Sequence, residues 1–258
     1  MSAPLLEAQA LSRDFGGIAA VSHVDFTVRE GQIKALIGPN GAGKTTILNM
    51  LSGALAPSRG RVLLDGRPLP VCRPHAVAAR GVARTFQLVK LFGEMTVLEN
   101  VLVGCHRRGR AGWPACAFRT RRMRDEERRL RQSALEVLES AGLAARADTP
   151  ATALPYGEQR LVELARALAA EPRLLLLDEP GAGLDGDEHR RLAALIRDIR
   201  AGGVTVLLVD HHMDFVMDIS DEILVLCHGE KLAEGAPAAV RSHPDVIAAY
   251  LGDEDGRC

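Results

Sequence analysis

The stretch GPNGAGKTT, residues 38–46, decides the fold of this chain. It fits the pattern G-x-x-x-x-G-K-[ST], in which glycines let the backbone curl around an anion and the lysine reaches phosphate oxygens. The β-rich apolar run QIKALI before it predicts a strand, and TTILNMLSGAL after it predicts a helix. Unpaired N–H groups and the dipole at a helix N-terminus favour negative charge, so this setting predicts a phosphate-binding loop.

We expect every residue of this loop to contact a bound nucleotide. The residues are Gly38, Pro39, Asn40, Gly41, Ala42, Gly43, Lys44, Thr45 and Thr46. Lys44 can reach the outer phosphates, and the Thr45 hydroxyl can ligate Mg²⁺. The alternative, a glycine-rich turn with one exposed lysine, does not account for the strand and helix on either side.

The composition sets broad limits. The chain has 258 residues, is 47% hydrophobic and carries a formal net charge of −1. It can therefore bury a sizeable core, and no global charge draws it to nucleic acid. The cysteines form no C-x-x-C pair and no zinc-type spacing with histidines. No apolar run reaches ~18 residues, so we expect no membrane-spanning segment.

The chain alternates between strand-like and helix-like patterns. The first ~70 residues favour strands, with a hairpin turn at Asp65-Gly66 and, much later in the chain, another around His228-Gly229. The runs at 174–180 and 204–210 suit strands buried in a parallel sheet. Residues 91–170 favour helices, and the chain ends in a helix followed by a polar tail.

These patterns predict an α/β core with a strand-rich β subdomain and an inserted α-helical subdomain. We expect a single domain over residues 1–240 and a short C-terminal helix and tail over 241–258. Within the domain, the core and β subdomain take about 1–90 and 170–240, and the helical subdomain takes about 91–169.

An arginine-rich segment lies inside the helical part. Residues 107–131 hold ten arginines against Asp125, Glu126 and Glu127, with Trp113 among them. A solvated helix preceded by a loop is the first interpretation, because charge runs are usually exposed faces. Contact with lipid headgroups or a membrane partner is the alternative.

Two later stretches add chemistry to the phosphate loop. In LLLLDEP, Asp178 ends an apolar strand and can hold Mg²⁺ through water, while Glu179 is placed to polarise an attacking water. An ordinary buried strand with a charged turn is the alternative. In LLVDHHM, His211 and His212 are adjacent, so we expect them to point to different sides of an extended strand end.

With these motifs in order, the sequence resembles the ATP-binding subunits of ABC transporters over roughly residues 5–253. The resemblance implies a P-loop NTPase fold, with a RecA-like core, an antiparallel β subdomain and an inserted α-helical subdomain. It also implies that the chain binds ATP and Mg²⁺ and hydrolyses ATP. It makes Gln87 the glutamine that touches Mg²⁺ and water, Glu179 the catalytic carboxylate, and His211 the histidine at the γ-phosphate. It places Phe15 against adenine, where a core phenylalanine is the alternative. The signature LPYGEQ and the D-loop GLD add the nucleotide contacts Tyr156, Gly157, Glu158, Gln159 and Asp185.

The signature departs from the family's commonest form, LSGGQ. Pro155 stands at the serine position, and a proline offers no hydroxyl to a phosphate. Loss of one hydrogen bond to a charged group costs roughly 1.5–3 kcal/mol. The departure therefore favours a heterodimer with a second ABC ATPase subunit that carries a full signature.

Within the family, the chain is most similar to the larger ATP-binding subunit of branched-chain amino acid uptake systems. The similar stretches include RDFGGIAAV, GVARTFQLVKLFGEMTVLENVLVG and DHHMDFVMDISDEILVL. This likeness implies membrane permease subunits as partners, an extracytoplasmic solute-binding protein as an indirect partner, and a place at the cytoplasmic face of the membrane. Urea and amide importers, a lipopolysaccharide-extracting ATPase and non-transport ABC ATPases are the alternatives; a kinase or GTPase lacks the later motifs.

Overall fold

The computed structural model describes residues 4–106 and 121–251. The chain divides into two compact units. The first comprises Met1–Arg84, Arg173–Ala182 and His189–Cys258, and the second comprises Thr85–Pro172 and Gly183–Glu188.

An antiparallel sheet of four strands opens the first unit. Its strands are β1 (Pro4–Phe15), β2 (Ile18–Arg29), β4 (Arg59–Leu64) and β5 (Arg67–Pro68), in the order β2-β1-β4-β5. Strands β4 and β5 form the predicted hairpin, and Asp65 and Gly66 both take positive φ at its turn.

A six-stranded sheet forms the centre of the first unit. Its strands are β3 (Ile33–Ile37), β6 (Val82–Arg84), β7 (Leu174–Asp178), β8 (Thr205–Val209), β9 (Glu222–Cys227) and β10 (Glu230–Gly235). The order is β10-β9-β3-β8-β7-β6, and only β10 runs antiparallel to its neighbour. Every residue of β3, β7 and β8 is buried, as the unbroken apolar runs predicted. The hairpin around His228-Gly229 is confirmed.

Helices complete the first unit. They are α1 (Lys44–Leu51), α2 (Pro74–Ala79), α7 (Met213–Ile219), α8 (Pro237–Arg241) and α9 (Pro244–Leu251), while α6 (Gly186–Ala201) begins in the second unit and ends in the first. Helix α1 buries Ile47, Leu48 and Leu51 in one core cluster with residues of both sheets. The predicted α/β fold with an antiparallel sheet is therefore confirmed.

The second unit is helical. It contains α3 (Val97–Cys105), α4 (Arg121–Ser140) and α5 (Tyr156–Leu168), with 3₁₀ turns at Ala144–Arg146 and Ala151–Ala153. Thr96 and Glu99 form a capping box at the start of α3, which satisfies its first backbone donors. Val97, Leu138 and Val162 join the three helices in a core of their own.

The arginine-rich segment lies partly within the described residues. Residues 107–120 lie outside the described residues, and residues 121–131 form the first half of α4. The Arg128 side chain is 78% exposed and pairs with Asp125, as expected of a solvated helix face. Across residues 4–106 and 121–251, none of the helices has both the length and the apolar character needed to span a bilayer.

Candidate functional site

Three neighbouring parallel strands end at one edge of the six-stranded sheet. Val209 at the end of β8 pairs with Leu36 of β3 on one side and with Asp178 of β7 on the other. The segments that leave this edge are the phosphate loop, Glu179 and the pair Asp210-His211. The fold thus brings together the predicted loop, the predicted catalytic glutamate and the predicted histidine from distant parts of the chain.

Glycine is required at two places in the phosphate loop. Gly38 has a φ of 149°, and a Cβ there would lie 2.2 Å from the Leu226 carbonyl oxygen. Gly43, the N-cap of α1, has a φ of 95°, and a Cβ there would lie 2.5 Å from the Ala20 carbonyl oxygen. Positive φ and close backbone neighbours both exclude larger residues, so the sequence pattern has a direct steric cause.

The Lys44 side chain lies across the start of the loop. Its Nζ donates hydrogen bonds to the carbonyl oxygens of Gly38 at 2.6 Å and Pro39 at 2.8 Å. Burial lowers the pKa of Lys44, and the nearby Glu179 carboxylate partly opposes that shift by raising it. Lys44 and Glu179 therefore interact electrostatically at the sheet edge.

Glu179 has a backbone conformation that is rare for its residue type. Its φ is 49°, and its N–H donates to the Val209 carbonyl oxygen at 2.7 Å. A residue with a side chain in this region carries about 1–3 kcal/mol of strain, which the surrounding structure must offset. Such strain concentrates at functional sites, and here it falls on the residue that the sequence assigned to catalysis.

Asp210 organises the turn that carries the two histidines. Its Oδ1 accepts the N–H of His211 at 2.8 Å and of His212 at 2.9 Å, and lies 2.8 Å from His212 Nδ1. Its Oδ2 accepts the Gly181 N–H at 3.0 Å, and the residue is only 1% exposed. One buried carboxylate thus ties the end of β8 to the segment after β7.

The prediction that His211 and His212 point to different sides is wrong. Their ring centroids lie 4.2 Å apart with an interplanar angle of 35°. The reason is that Asp210 accepts both backbone N–H groups, which curls the chain where strand alternation would need it extended. His212 begins α7 as its N-cap, whereas the His211 imidazole is exposed and makes no hydrogen bond within the described residues.

Hard oxygen donors suited to Mg²⁺ are present at the sheet edge. The Asp178 carboxylate ends β7 and the Thr45 hydroxyl lies in the first turn of α1. Side-chain donor atoms of Asp210, His211 and His212 also lie within 4.8 Å of one another. Both Asp210 oxygens already accept N–H donors, so Asp210 orders the turn that carries the histidines. Asp178 and Thr45 stay the ligands predicted for Mg²⁺.

Two aromatic residues of the first unit bear on the nucleotide site. Phe15 ends β1, is 46% exposed and has the Arg13 guanidinium 4.7 Å from its ring, so it is not a core phenylalanine. Burial raises the pKa of Tyr250 of α9 to about 12, and the nearby Gly38 backbone acts against that shift. The sequence predicted a C-terminal helix but gave no sign that it reaches the phosphate loop.

The remaining predicted contacts belong to the second unit. Pro155 is the N-cap of α5 without a side-chain cap, and Tyr156 follows it 44% exposed. Gln159 Nε2 donates to the Leu154 carbonyl oxygen at 2.9 Å, and Glu158 lies 3.6 Å from Arg146 Nε. The helix N-terminus is therefore formed as predicted, without a serine hydroxyl.

Asp185 caps helix α6. Its Oδ1 accepts the N–H groups of Asp187 and Glu188 at 2.9 and 2.8 Å, and Glu188 Oε2 accepts the Asp185 N–H at 3.0 Å. This reciprocal arrangement is a capping box. A Cβ on Gly157 would lie 2.1 Å from Glu188 Oε1, so the small residue of the signature leaves room for the cap.

Helix α5 holds the segment that carries Gln87. Arg160 donates to the carbonyl oxygens of Phe86, at 2.9 Å, and Gln87. Buried Glu163 lies 3.8 Å from both Arg160 and Arg166. Burial raises the pKa of Glu163, and the two guanidinium groups act against that shift.

Sequence reasoning did not assign roles to Asp210, Tyr250, Arg160 or Glu163. Only the role of Asp210 could have been predicted from the sequence, because an acidic residue at the end of a buried apolar strand needs hydrogen-bond partners. The other three act through contacts between distant segments, which local patterns do not reveal.

Comparison with known proteins gives a consistent result. Residues 21–182 match the family model described as ABC transporter, and residues 230–256 match the model described as branched-chain amino acid ATP-binding cassette transporter. The chain is 46% identical to the high-affinity branched-chain amino acid transport ATP-binding protein BraF of Pseudomonas aeruginosa, covering 98% of this chain and 100% of that protein.

Solved structures agree with the sequence matches. The ADP conformation of MJ1267, an ATP-binding cassette of an ABC transporter, superposes with a TM-score of 0.85 at 31% identity over 97% of this chain and all of that chain. A dimeric post-hydrolysis state of the cassette MJ0796 with ADP and Pi gives a TM-score of 0.75 at 27% identity over 90% of this chain and 98% of that one.

Proposed function

Because the chain belongs to the family of ABC transporter ATP-binding proteins, we propose that it is the ATP-hydrolysing subunit of an importer for branched-chain amino acids. The similarity to BraF and the match of residues 230–256 support this solute class. The chain selects no solute itself on this proposal; the membrane subunits and a binding protein do so.

The observation that carries the proposal is the shared edge of β3, β7 and β8. Three adjacent parallel strands deliver the phosphate loop, the Asp178-Glu179 pair and His211 to one place. Ligands of open α/β sheets bind outside the carboxyl ends of the strands, so an ATP γ-phosphate at this edge meets all three.

Each residue at the edge has a distinct part in phosphoryl transfer, which is mainly positioning and charge stabilisation. Loop N–H groups and Lys44 hold the phosphates. Thr45 and Asp178 would hold Mg²⁺, which would supply positive charge at the phosphates. Glu179 accepts a proton from the attacking water, and His211 donates a hydrogen bond to the γ-phosphate.

The second unit supplies the other half of a composite site. We propose that two ATPase subunits close face to face, with the α5 N-terminus, Tyr156–Gln159 and Asp185 of one subunit facing the phosphate loop of its partner. A helix N-terminus favours phosphate through its unpaired N–H groups. Because Pro155 brings no hydroxyl, the partner is a different ABC ATPase with a stronger signature.

The surface around Gln87 is the proposed contact with membrane permease subunits at the cytoplasmic face. Phe86, Leu88 and Phe92 are 41%, 72% and 47% exposed, which gives this segment apolar area for a partner. An extracytoplasmic solute-binding protein delivers the amino acid to those permeases and does not touch this chain.

ATP hydrolysis by the assembled complex tests the proposal. The chain is measured alone and with the second ATPase and the permeases in vesicles, beside Glu179→Gln, Lys44→Ala and the exposed control Glu230→Gln. We expect activity mainly in the assembly, its loss in the first two variants and no change in the control. Full activity of the lone chain, with no gain from partners, overturns the importer model.

The solute is tested in the same vesicles. Binding protein loaded with leucine should stimulate hydrolysis, whereas urea should not. Stimulation by urea and not by leucine would assign the chain to a urea or amide importer, which was the alternative from the sequence.

A further inference from the structure

Arg84, the last residue of β6, forms a buried ion pair with the predicted magnesium ligand Asp178. Its Nη2 donates to Asp178 Oδ2 at 2.9 Å, and the two side chains are only 9% and 6% exposed. Both residues belong to the first unit. A charged hydrogen bond with so little solvent is stronger and less screened than a surface pair.

The same guanidinium is also bound to helix α1. Arg84 Nη1 donates to Asn49 Oδ1 at 2.7 Å and lies 2.9 Å from Ser52 Oγ at the helix C-cap. Helix α1 begins with Lys44 and Thr45, so its far end is fixed by the group that holds Asp178. Because the guanidinium is planar and rigid, it sets the spacing between α1 and the end of β7.

We propose that Arg84 is a positioning residue that holds the Thr45 hydroxyl and the Asp178 carboxylate in the mutual arrangement that Mg²⁺ requires. This inference rests on the proposed ATP site. Mg²⁺ demands near-ideal octahedral geometry, so a small shift of one oxygen lowers its affinity. The contacts of Arg84 with Asp178 and the far end of α1 do not involve the loop amides that precede α1, so these amides can hold phosphate without it.

The test measures magnesium binding and not hydrolysis. The protein is first loaded with fluorescent β,γ-imido ATP in EDTA, and Mg²⁺ is then titrated to obtain its apparent Kd. Groups that hydrogen-bond to metal ligands typically change metal affinity 10–100-fold when removed, so Arg84→Met should raise the Kd for Mg²⁺ by about tenfold or more. Affinity for the analogue in EDTA should fall less than the affinity for Mg²⁺, because the loop amides that precede α1 keep their phosphate contacts.

Two variants separate positioning from loss of charge. Arg173→Met is the matched control, since Arg173 also pairs with a carboxylate, Asp65, in the first unit but away from the sheet edge. It should leave the Kd for Mg²⁺ unchanged. Arg84→Lys keeps the charge but lacks the planar guanidinium that binds α1 and Asp178 at the same time. Its Kd for Mg²⁺ should therefore lie between those of wild type and Arg84→Met.

A double-mutant cycle shows whether Arg84 acts through Asp178. In an Asp178→Asn background, Arg84→Met should cause no further loss of magnesium affinity. An equal loss in both backgrounds, or an unchanged Kd in Arg84→Met, overturns the proposal. If circular dichroism shows that Arg84→Met does not fold, the cycle is repeated with Arg84→Lys in its place. A Kd for Mg²⁺ equal to that of wild type in Arg84→Lys then overturns the proposal. Failure of the wild type to bind the analogue at all refutes the ATP site instead.

Discussion

Replacing Asp210 with asparagine tests whether one carboxylate organises the sheet edge. The carboxylate receives four N–H groups, three at Oδ1 and one at Oδ2. An asparagine has a single acceptor oxygen, so its NH₂ must face at least one donor. The least costly orientation keeps the His211 and His212 bonds and places the NH₂ against the Gly181 N–H.

The magnitude follows from those contacts. Losing a hydrogen bond to a charged group costs about 1.5–3 kcal/mol, and the remaining three bonds become neutral and weaker. The Gly181 N–H is buried, so water cannot replace its acceptor. We expect Asp210→Asn to lower the free energy of unfolding by about 2–4 kcal/mol.

The assay is urea unfolding followed by circular dichroism, with Asp221→Asn as control. Asp221 also accepts a backbone N–H, from Ile33, and pairs with Arg200, but its side chain is 35% exposed. Water can reach it, so the control should cost less than about 1 kcal/mol. A loss below about 1 kcal/mol for Asp210→Asn, or equal losses for both variants, would refute the reasoning.

Two further predictions concern the loop and the helical unit. Gly43→Ala should lower the free energy of unfolding more than Gly41→Ala, because both have positive φ but only a Cβ at Gly43 meets a neighbour, 2.5 Å away. Equal losses in urea titrations would contradict this. Burial raises the pKa of Glu163 above its usual 4.5. The contribution of Glu163 to the free energy of unfolding is therefore fully present below pH 4.5, and it is lost as the pH rises through the pKa of the folded state. Wild type should therefore lose stability relative to Glu163→Gln as pH rises from 4 to 7; a pH-independent difference would disprove it.

The sequence was most informative where local pattern and structure have the same cause. Gly38 and Gly43 are required because the carbonyl oxygens of Leu226 and Ala20 leave no room for a side chain. These are the two glycines of the pattern G-x-x-x-x-G-K, so the pattern could be recognised in the sequence. The buried strands were recognisable because a strand covered on both faces is apolar throughout.

The residues that escaped prediction act across long separations. Arg84 and Asp178 are 94 positions apart, and Arg160 and Phe86 are 74 apart. Neither pair has a spacing that a helix or strand period could reveal. The error at His211 had a different cause. The Asp210 side chain accepts the N–H groups of His211 and His212, so the backbone there is not extended, although the prediction from strand alternation assumed that it was.

The contacts of Arg160 and Glu163 have a mechanical consequence. Arg160 donates to the carbonyl oxygens of Phe86 and Gln87 and lies 3.8 Å from buried Glu163, so this segment cannot slide along α5 without breaking charged hydrogen bonds. A push on the exposed Phe86 or Leu88 therefore becomes a displacement of the whole helix, including its first turn at Tyr156. The hydrogen bonds of Arg160 thus link the exposed surface at Phe86 to the helix that carries the signature residues.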